Sequence, residues 1–248
     1  MKDFISRAQH TLLEAHGLAS FDALWALQLA SVDEPNTGRG GWSSVSRLEL
    51  GEAAFYLKRQ SNYLTRSLAR PFGEPTFARE FRTIQHYAEL DIPVVQAVFF
   101  AERQEAGERR AILMTRALDD WQDLDGLLDD WAQLHPERRT AILRACAALA
   151  RQLHGAGQMH GCFYPKHIFL REEGEVFQAC LIDLEKTRPL LLGRRDRIKD
   201  LEPLLRRASV WSQAEVRQLL DAYLGDSSDL DDWLRRLSAR RTHKVQCG

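Results

Sequence analysis

The chain has 248 residues, 44% of them hydrophobic and 28% charged, and a formal net charge of −1. That is long enough for one large domain or two tightly packed lobes with a sizeable core, and the near-neutral balance offers no global field to attract nucleic acid. No stretch of ~18 apolar residues occurs, so no transmembrane helix is expected, and the run from Phe4 to Leu13 is broken by Arg7, Gln9 and His10, so it does not read as a secretory signal.

Residues 3–16 have near-helical apolar spacing through Phe4, Ile5, Ala8, Leu12 and Leu13, and a second helical piece runs from Phe21 to Leu27. The stretch from Asp33 to Gly41 is turn-rich. Ser43 to Leu50 and Ala53 to Lys58 read as strands of a hairpin turned at Gly51-Glu52. Thr76 to Leu90 predicts a helix with Phe77, Phe81, Ile84 and Tyr87 on one face and Thr76 as its cap. Ile92 to Phe100 and Arg110 to Thr115 read as β-structure. Past Leu118 the pattern turns helical: an acidic segment from Trp121 to Ala132, then the strongest helix of the chain from Pro136 to Gly155. Ile168 to Leu170 and Ala179 to Leu184 are short predicted strands, and helices resume from Arg197. The expected architecture is α+β, with a β-rich N-terminal lobe over residues 1–117 and a larger helical lobe over 118–248.

Cys146, Cys162, Cys180 and Cys247 form no CxxC pair, which gives neither a zinc spacing nor a disulfide framework and suits a reducing, cytoplasmic setting. Several residues carry chemistry in order. Gly38, Gly40 and Gly41 precede a strand, where backbone N–H groups can approach phosphate, although most glycine clusters are plain turns. Lys58 ends the next strand, within reach of phosphate charge. Glu80 sits between Phe77 and Phe81, near the buried edge of its helix, where a carboxylate needs a cation; Lys58 is the obvious one. After the strongest helix comes a loop from His160 through Cys162 and Pro165 to His167, and then Asp183 leaves an apolar strand, a position that suits a Mg²⁺ ligand.

Glycine turn, strand lysine, helix glutamate, long helix, His-containing loop and strand-end aspartate follow one another as in protein kinases. Within that class the chain resembles the Kdo/WaaP lipopolysaccharide kinase family, in its InaA-like branch. The resemblance rests on Arg39 to Ser43, Tyr56 to Gln60, Arg79-Glu80-Phe81, the loop from His160 to Leu170, Ile182 to Glu185 and Lys199-Asp200-Leu201, and spans roughly residues 38–205. It implies a two-lobed protein-kinase-like fold in which Gly38, Gly40 and Gly41 cover ATP phosphates. Lys58 would bind those phosphates while paired with Glu80, and the segment from Met114 to Leu118 would hold adenine. Mg²⁺ or Mn²⁺ would bind Asp183 and His167, in a cleft between Lys58 and Asp183. Asp200 would brace the loop that carries His160 and Cys162. ATP and a lipopolysaccharide core or its precursor are the implied partners, nucleic acid is not one, and any membrane contact would be peripheral, through Arg66, Arg70, Arg79, Arg82, Arg194, Arg195 and Arg197.

The departures matter equally. Kinases place a catalytic Asp two residues after the loop His; here that residue is Cys162, and losing a general base typically forfeits ~10²–10⁴-fold. The usual metal-binding Asn is His167, and Asp183 is followed by Leu-Glu, not Phe-Gly. Three readings follow: a kinase acting on a sugar hydroxyl of the lipopolysaccharide core, a pseudokinase that serves as an ATP-binding scaffold in envelope or stress responses, and a kinase for a protein or another small molecule.

Overall fold

A computed structural model describes residues 3–38, 40–67, 70–225 and 229–246. Arg39 and Cys247 therefore lie outside the described residues. The chain is α+β and divides into two compact units, one formed by residues up to Tyr87 with Val95–Asp119, the other by Ala88–Val94 with the chain from Asp120 onward.

The first unit is built on a six-stranded sheet. In chain order its elements are β1 (Phe4–Ile5), α1 (His10–Ala15), α2 (Phe21–Ala26), β2 (Asn36–Gly38), β3 (Gly41–Leu50), β4 (Ala53–Ser61), β5 (Leu64–Ser67), β6 (Arg70–Pro75), α3 (Thr76–Glu89), β7 (Ala97–Glu105) and β8 (Glu108–Arg116). The sheet order is β1-β7-β8-β4-β3-β2, and β5 and β6 form a separate hairpin. Every pairing in the large sheet is antiparallel. Strand alternation divides β4 between the sheet's two faces. Phe55 and Leu57 are fully buried with Leu13, Leu24, Phe99 and Met114, while Lys58 points the other way. Each such aliphatic or aromatic side chain contributes roughly 1.5–3 kcal/mol on burial.

One expected helix is absent. Residues 3–16 are not continuous: Phe4 and Ile5 pair with Phe100 and Phe99 as an edge strand, and only His10–Ala15 is helical. The Phe4 ring lies 5.0 Å from that of Phe81, so non-local pairing and ring packing outweigh local periodicity.

The second unit contains β9 (Gln122–Asp123), α4 (Leu124–Asp129), α5 (Pro136–Gly155), β10 (Gln158–Met159), β11 (Ile168–Glu173), β12 (Val176–Leu181), β13 (Arg188–Pro189), α6 (Arg194–Arg207), α7 (Gln213–Leu224) and α8 (Leu230–Gln246). Three short 3₁₀ turns lie at Trp131–Gln133, Pro165–His167 and Leu184–Lys186. The acidic stretch expected to be one helix is broken at its start. Gln122 and Asp123 pair with Leu170 and Phe169, and Asp123 then caps α4 by accepting from the Gly126 N–H. α5 begins at Pro136, whose missing N–H costs nothing at a helix start, and buries Ile142, Leu143, Cys146, Leu149, Ala150 and Leu153. β12 ends at Leu181, short of Asp183. The backbone there turns left-handed (φ 58°, ψ 63°), which no strand tolerates. Cys146, Cys162 and Cys180 are free and buried.

Candidate functional site

In the first unit Lys58 Nζ donates to Glu80 Oε1 at 2.6 Å, with the glutamate side chain 3% exposed and the lysine 17%. The ammonium also lies 5.9 Å from the Phe77 ring centre. A carboxylate this deep requires such a cation. Gln60, two residues beyond Lys58 and on the same strand face, fixes the geometry and was not foreseen. Its Oε1 accepts from the Thr76 hydroxyl at 2.8 Å and the Phe77 N–H at 2.9 Å, and its Nε2 donates to the Tyr63 carbonyl at 2.5 Å. A fully buried amide on β4 thus caps α3, one turn before Glu80.

The glycines divide by cause. A Cβ on Gly41 would lie 2.0 Å from the Ser61 carbonyl oxygen, so this position is glycine because the β4 backbone passes over it. Gly40 turns at φ 81° with open space around it, and Gly38 faces the Tyr63 ring. Gly40 therefore keeps the freedom that a phosphate-covering turn requires, whereas Gly41 is explained by packing.

Met114, expected to contact adenine, has its side chain in the core. Lys58 is paired with Leu113, and Tyr56 with Thr115, so Leu113 and Thr115 share the face of Lys58. Met114 pairs with Leu57 and projects into the opposite, fully buried face. Its side chain is core; a contact from this strand would come from Leu113, Thr115 or the chain after them.

In the second unit the buried carboxylate of Asp200 organises the loop after α5. Its Oδ2 accepts from the His160 N–H at 2.8 Å and from His154 Nε2 at 3.1 Å, and its Oδ1 from the Gly161 N–H at 2.7 Å. The Tyr223 hydroxyl lies 2.8 Å from His154 Nδ1, and burial pushes that phenol up, so it remains a donor. Neither His154 nor Tyr223 was anticipated.

His160 is completely buried, and burial lowers its pKa, which keeps the ring neutral. Nε2 donates to the Ile182 carbonyl at 2.9 Å, and Nδ1 accepts a long bond from the Cys162 N–H at 3.3 Å. With both nitrogens occupied, His160 ties the loop to the chain before Asp183. Its geometry is that of a positioning residue rather than of a group that meets a ligand.

His167 differs. Nδ1 lies 2.9 Å from the Cys162 carbonyl, to which it must donate, and burial lowers its pKa as well. The neutral ring then presents the Nε2 lone pair to Asp183 Oδ2 at 3.2 Å. Two acceptors facing one another are unfavourable unless a proton or cation lies between them. A separation of about 3 Å is what adjacent ligands of a small octahedral cation require. The Asp183 side chain is 44% exposed, so the pair is open on one side. Among the described residues no group of three or more His, Cys, Asp or Glu side chains converges, so remaining ligands would come from water or substrate.

Cys162 is 7% exposed and hydrogen-bonded by the Lys186 side chain. The Cys162 sulfur first, then Glu185 and Asp183, raise the Lys186 pKa against an opposing effect of burial. Asp196 is a further unforeseen anchor. It accepts from Arg188 at 2.8 Å and from the Leu191 and Leu192 N–H groups at 2.9 and 3.0 Å, and these partners, the Arg188 guanidinium first, hold its carboxyl far below the usual range. The chain from β13 to α6 is thereby tied down.

Known proteins resemble this chain in sequence and in fold. The model of the lipopolysaccharide kinase (Kdo/WaaP) family matches residues 22–223. Protein InaA of Escherichia coli (strain K12) is 35% identical over 185 residues, covering 71% of this chain and 82% of that protein. The lipopolysaccharide core heptose(I) kinase WaaP of Pseudomonas aeruginosa PAO1 is 25% identical over 186 residues, 68% of this chain and 69% of that one. A solved structure of WaaP in complex with acyl carrier protein superimposes with a TM-score of 0.72 at 22% identity, covering 99% of this chain and 98% of that one, which shows a protein-kinase-like fold. The chain belongs to the lipopolysaccharide kinase (Kdo/WaaP) family.

Proposed function

We propose that the protein is an ATP-dependent phosphotransferase whose acceptor is a sugar hydroxyl of the lipopolysaccharide inner core. The observation that carries this reading is the facing pair of His167 Nε2 and Asp183 Oδ2, a donor set that suits a divalent cation, in a chain of this family. Lys58, fixed by Glu80, would neutralise nucleotide phosphate charge. Gly40 would let backbone N–H groups approach it. Asp183 and His167 would hold Mg²⁺ or Mn²⁺, which when bound supplies charge neutralisation at the phosphates. Phosphoryl transfer passes through a loose transition state, so positioning and charge can act where Cys162 replaces the base. Calorimetry with ATP and either metal should show binding that Asp183→Asn weakens in its metal dependence. Cys162→Asp should raise turnover on lipopolysaccharide core, because a carboxylate accepts the hydroxyl proton at neutral pH. No ATP binding with either metal would end the enzyme reading.

A pseudokinase remains the second reading, favoured by the buried thiol of Cys162 in the base position. ATP binding with no turnover in the native, Cys162→Asp and Cys162→Ser forms would establish it.

No helix among the described residues is long and apolar enough to cross a membrane. From the family we propose a cytoplasmic protein with peripheral contact at the inner membrane. The β5–β6 hairpin suits that contact. Phe72 is 91% exposed and Arg66 and Arg70 are exposed, while Glu74 is buried against Arg82 at 2.5 Å. Each arginine near an anionic surface contributes about 1 kcal/mol, or about fivefold in affinity. Arg66→Glu with Arg70→Glu should therefore reduce co-sedimentation with anionic vesicles at least about 25-fold. Unchanged sedimentation would remove the hairpin from this role. Salt-sensitive binding to acyl carrier protein, the partner in the WaaP structure, would assign the hairpin to a protein instead.

A further inference from the structure

The reaction proposed above leaves a gap at the transferring phosphoryl group, where Cys162 stands in place of the catalytic Asp. Lys186 lies beside that gap. Asp183, in the left-handed region, precedes the 3₁₀ turn Leu184–Lys186, and Lys186 closes that turn. Lys186 Cβ would lie 3.4 Å from a Cβ on Gly161, the residue before Cys162, and its ammonium interacts electrostatically with Cys162, Glu185 and Asp183. Its backbone is held against the loop by Gly161, which adopts φ 78°. A Cβ there would stand 2.5 Å from the Lys186 carbonyl oxygen and 3.2 Å from its carbonyl carbon, so any larger residue would push Lys186 away. Gly161 itself is fixed by Asp200 through its N–H. The chain from Asp200 through Gly161 to Lys186 therefore holds an exposed lysine beside the loop that carries Cys162, three residues past the candidate metal ligand Asp183.

We propose that Lys186 is a catalytic residue whose ammonium meets the γ-phosphoryl group of ATP as it is transferred, an inference that rests on the phosphotransferase reading. The acceptor hydroxyl oxygen forms a bond to the γ-phosphorus, and the bond from that phosphorus to the β,γ-bridging oxygen breaks. ADP leaves with the electron pair, and the hydroxyl proton passes to an oxygen of the transferred phosphoryl group. Lys186 stays protonated throughout. It neutralises charge that grows on the equatorial phosphoryl oxygens and does not act as the base. Lysine suits this as a compact point charge on a flexible stem.

The test compares Lys186→Met and Lys186→Arg with the unmodified protein, using ATP, ADP and lipopolysaccharide core. Lys186→Met should lower kcat about 10²–10³-fold, the typical loss of one charge-stabilising donor, with little change in the KM for acceptor. Lys186→Arg should recover part of kcat. In calorimetry Lys186→Met should reduce the preference for ATP over ADP about tenfold and leave ADP affinity unchanged, since only ATP carries the γ-phosphate; this arm decides the matter even in a protein that binds nucleotide without turnover. An unchanged kcat and ATP-to-ADP ratio would overturn the proposal, as would an equal loss of ATP and ADP binding, which marks a collapsed loop. Absence of all nucleotide binding in the unmodified protein would instead overturn the phosphotransferase reading and this assignment with it.

Discussion

Asp200→Ala is expected to destabilise the protein by about 3–5 kcal/mol, and to lower its melting temperature by roughly 10 °C for a chain of this length. The reason is the number of donors that one carboxylate satisfies. The His160 and Gly161 N–H groups and His154 Nε2 all point at its two oxygens, and Asp200 is 1% exposed. Removing it leaves those buried donors unpaired, each at a cost of about 1–3 kcal/mol. Asp200→Asn keeps the shape but turns one oxygen into an NH₂ that must face a donor, so it should fall between the two. Urea unfolding with an unchanged slope and a shifted midpoint would read this as stability rather than altered compactness. A loss below about 1 kcal/mol for Asp200→Ala would mean that water replaces the carboxylate freely and that the loop is not braced there.

The loop bonds explain what could and could not be read from the residues in order. α5 was legible because Pro136 marks its first turn and twenty residues of apolar spacing follow from local chemistry alone. α3 was legible for the same reason, through Phe77, Phe81, Ile84 and Tyr87. The segment around Phe4 was not, because its partners Phe99 and Phe100 are distant in sequence and a two-residue strand carries no period. Lys58 and Glu80 were foreseeable as a pair, since a glutamate between two core-facing phenylalanines of a helix needs a cation and few are in range. Gln60 was invisible: a glutamine has no fixed role until the start of α3 comes to rest against it. The face that Met114 takes is not legible in the sequence, because a strand alternates faces and only the register with Leu57 tells which face is core. The bonds of His160 likewise appear only when Ile182 is brought to its ring.

Lys58→Met is expected to abolish detectable ATP binding and, separately, to destabilise the fold by about 3–5 kcal/mol. The second effect arises because Glu80, 2% exposed, would lose the cation 2.6 Å from its carboxylate while staying out of water. A stranded carboxylate bears its desolvation cost with no compensating cation. Glu80→Met should cost less, because Lys58 is the more exposed partner and its flexible stem can carry the ammonium to solvent. The double variant Lys58→Met/Glu80→Met separates the two roles. Replacing both members of a buried pair by apolar side chains of similar volume is often neutral or stabilising, so melting should return to within about 1 kcal/mol of the unmodified protein. ATP binding should not return, because no cation remains on that strand face to meet phosphate. Restored binding in the double variant would show that Lys58 serves only to neutralise Glu80. A single Lys58→Met variant as stable as the unmodified protein would show that Glu80 reaches water or another cation. If stability recovers and affinity does not, the ion pair has a ligand-directed purpose: a buried glutamate retained at a cost to the fold because it holds a lysine ready for phosphate.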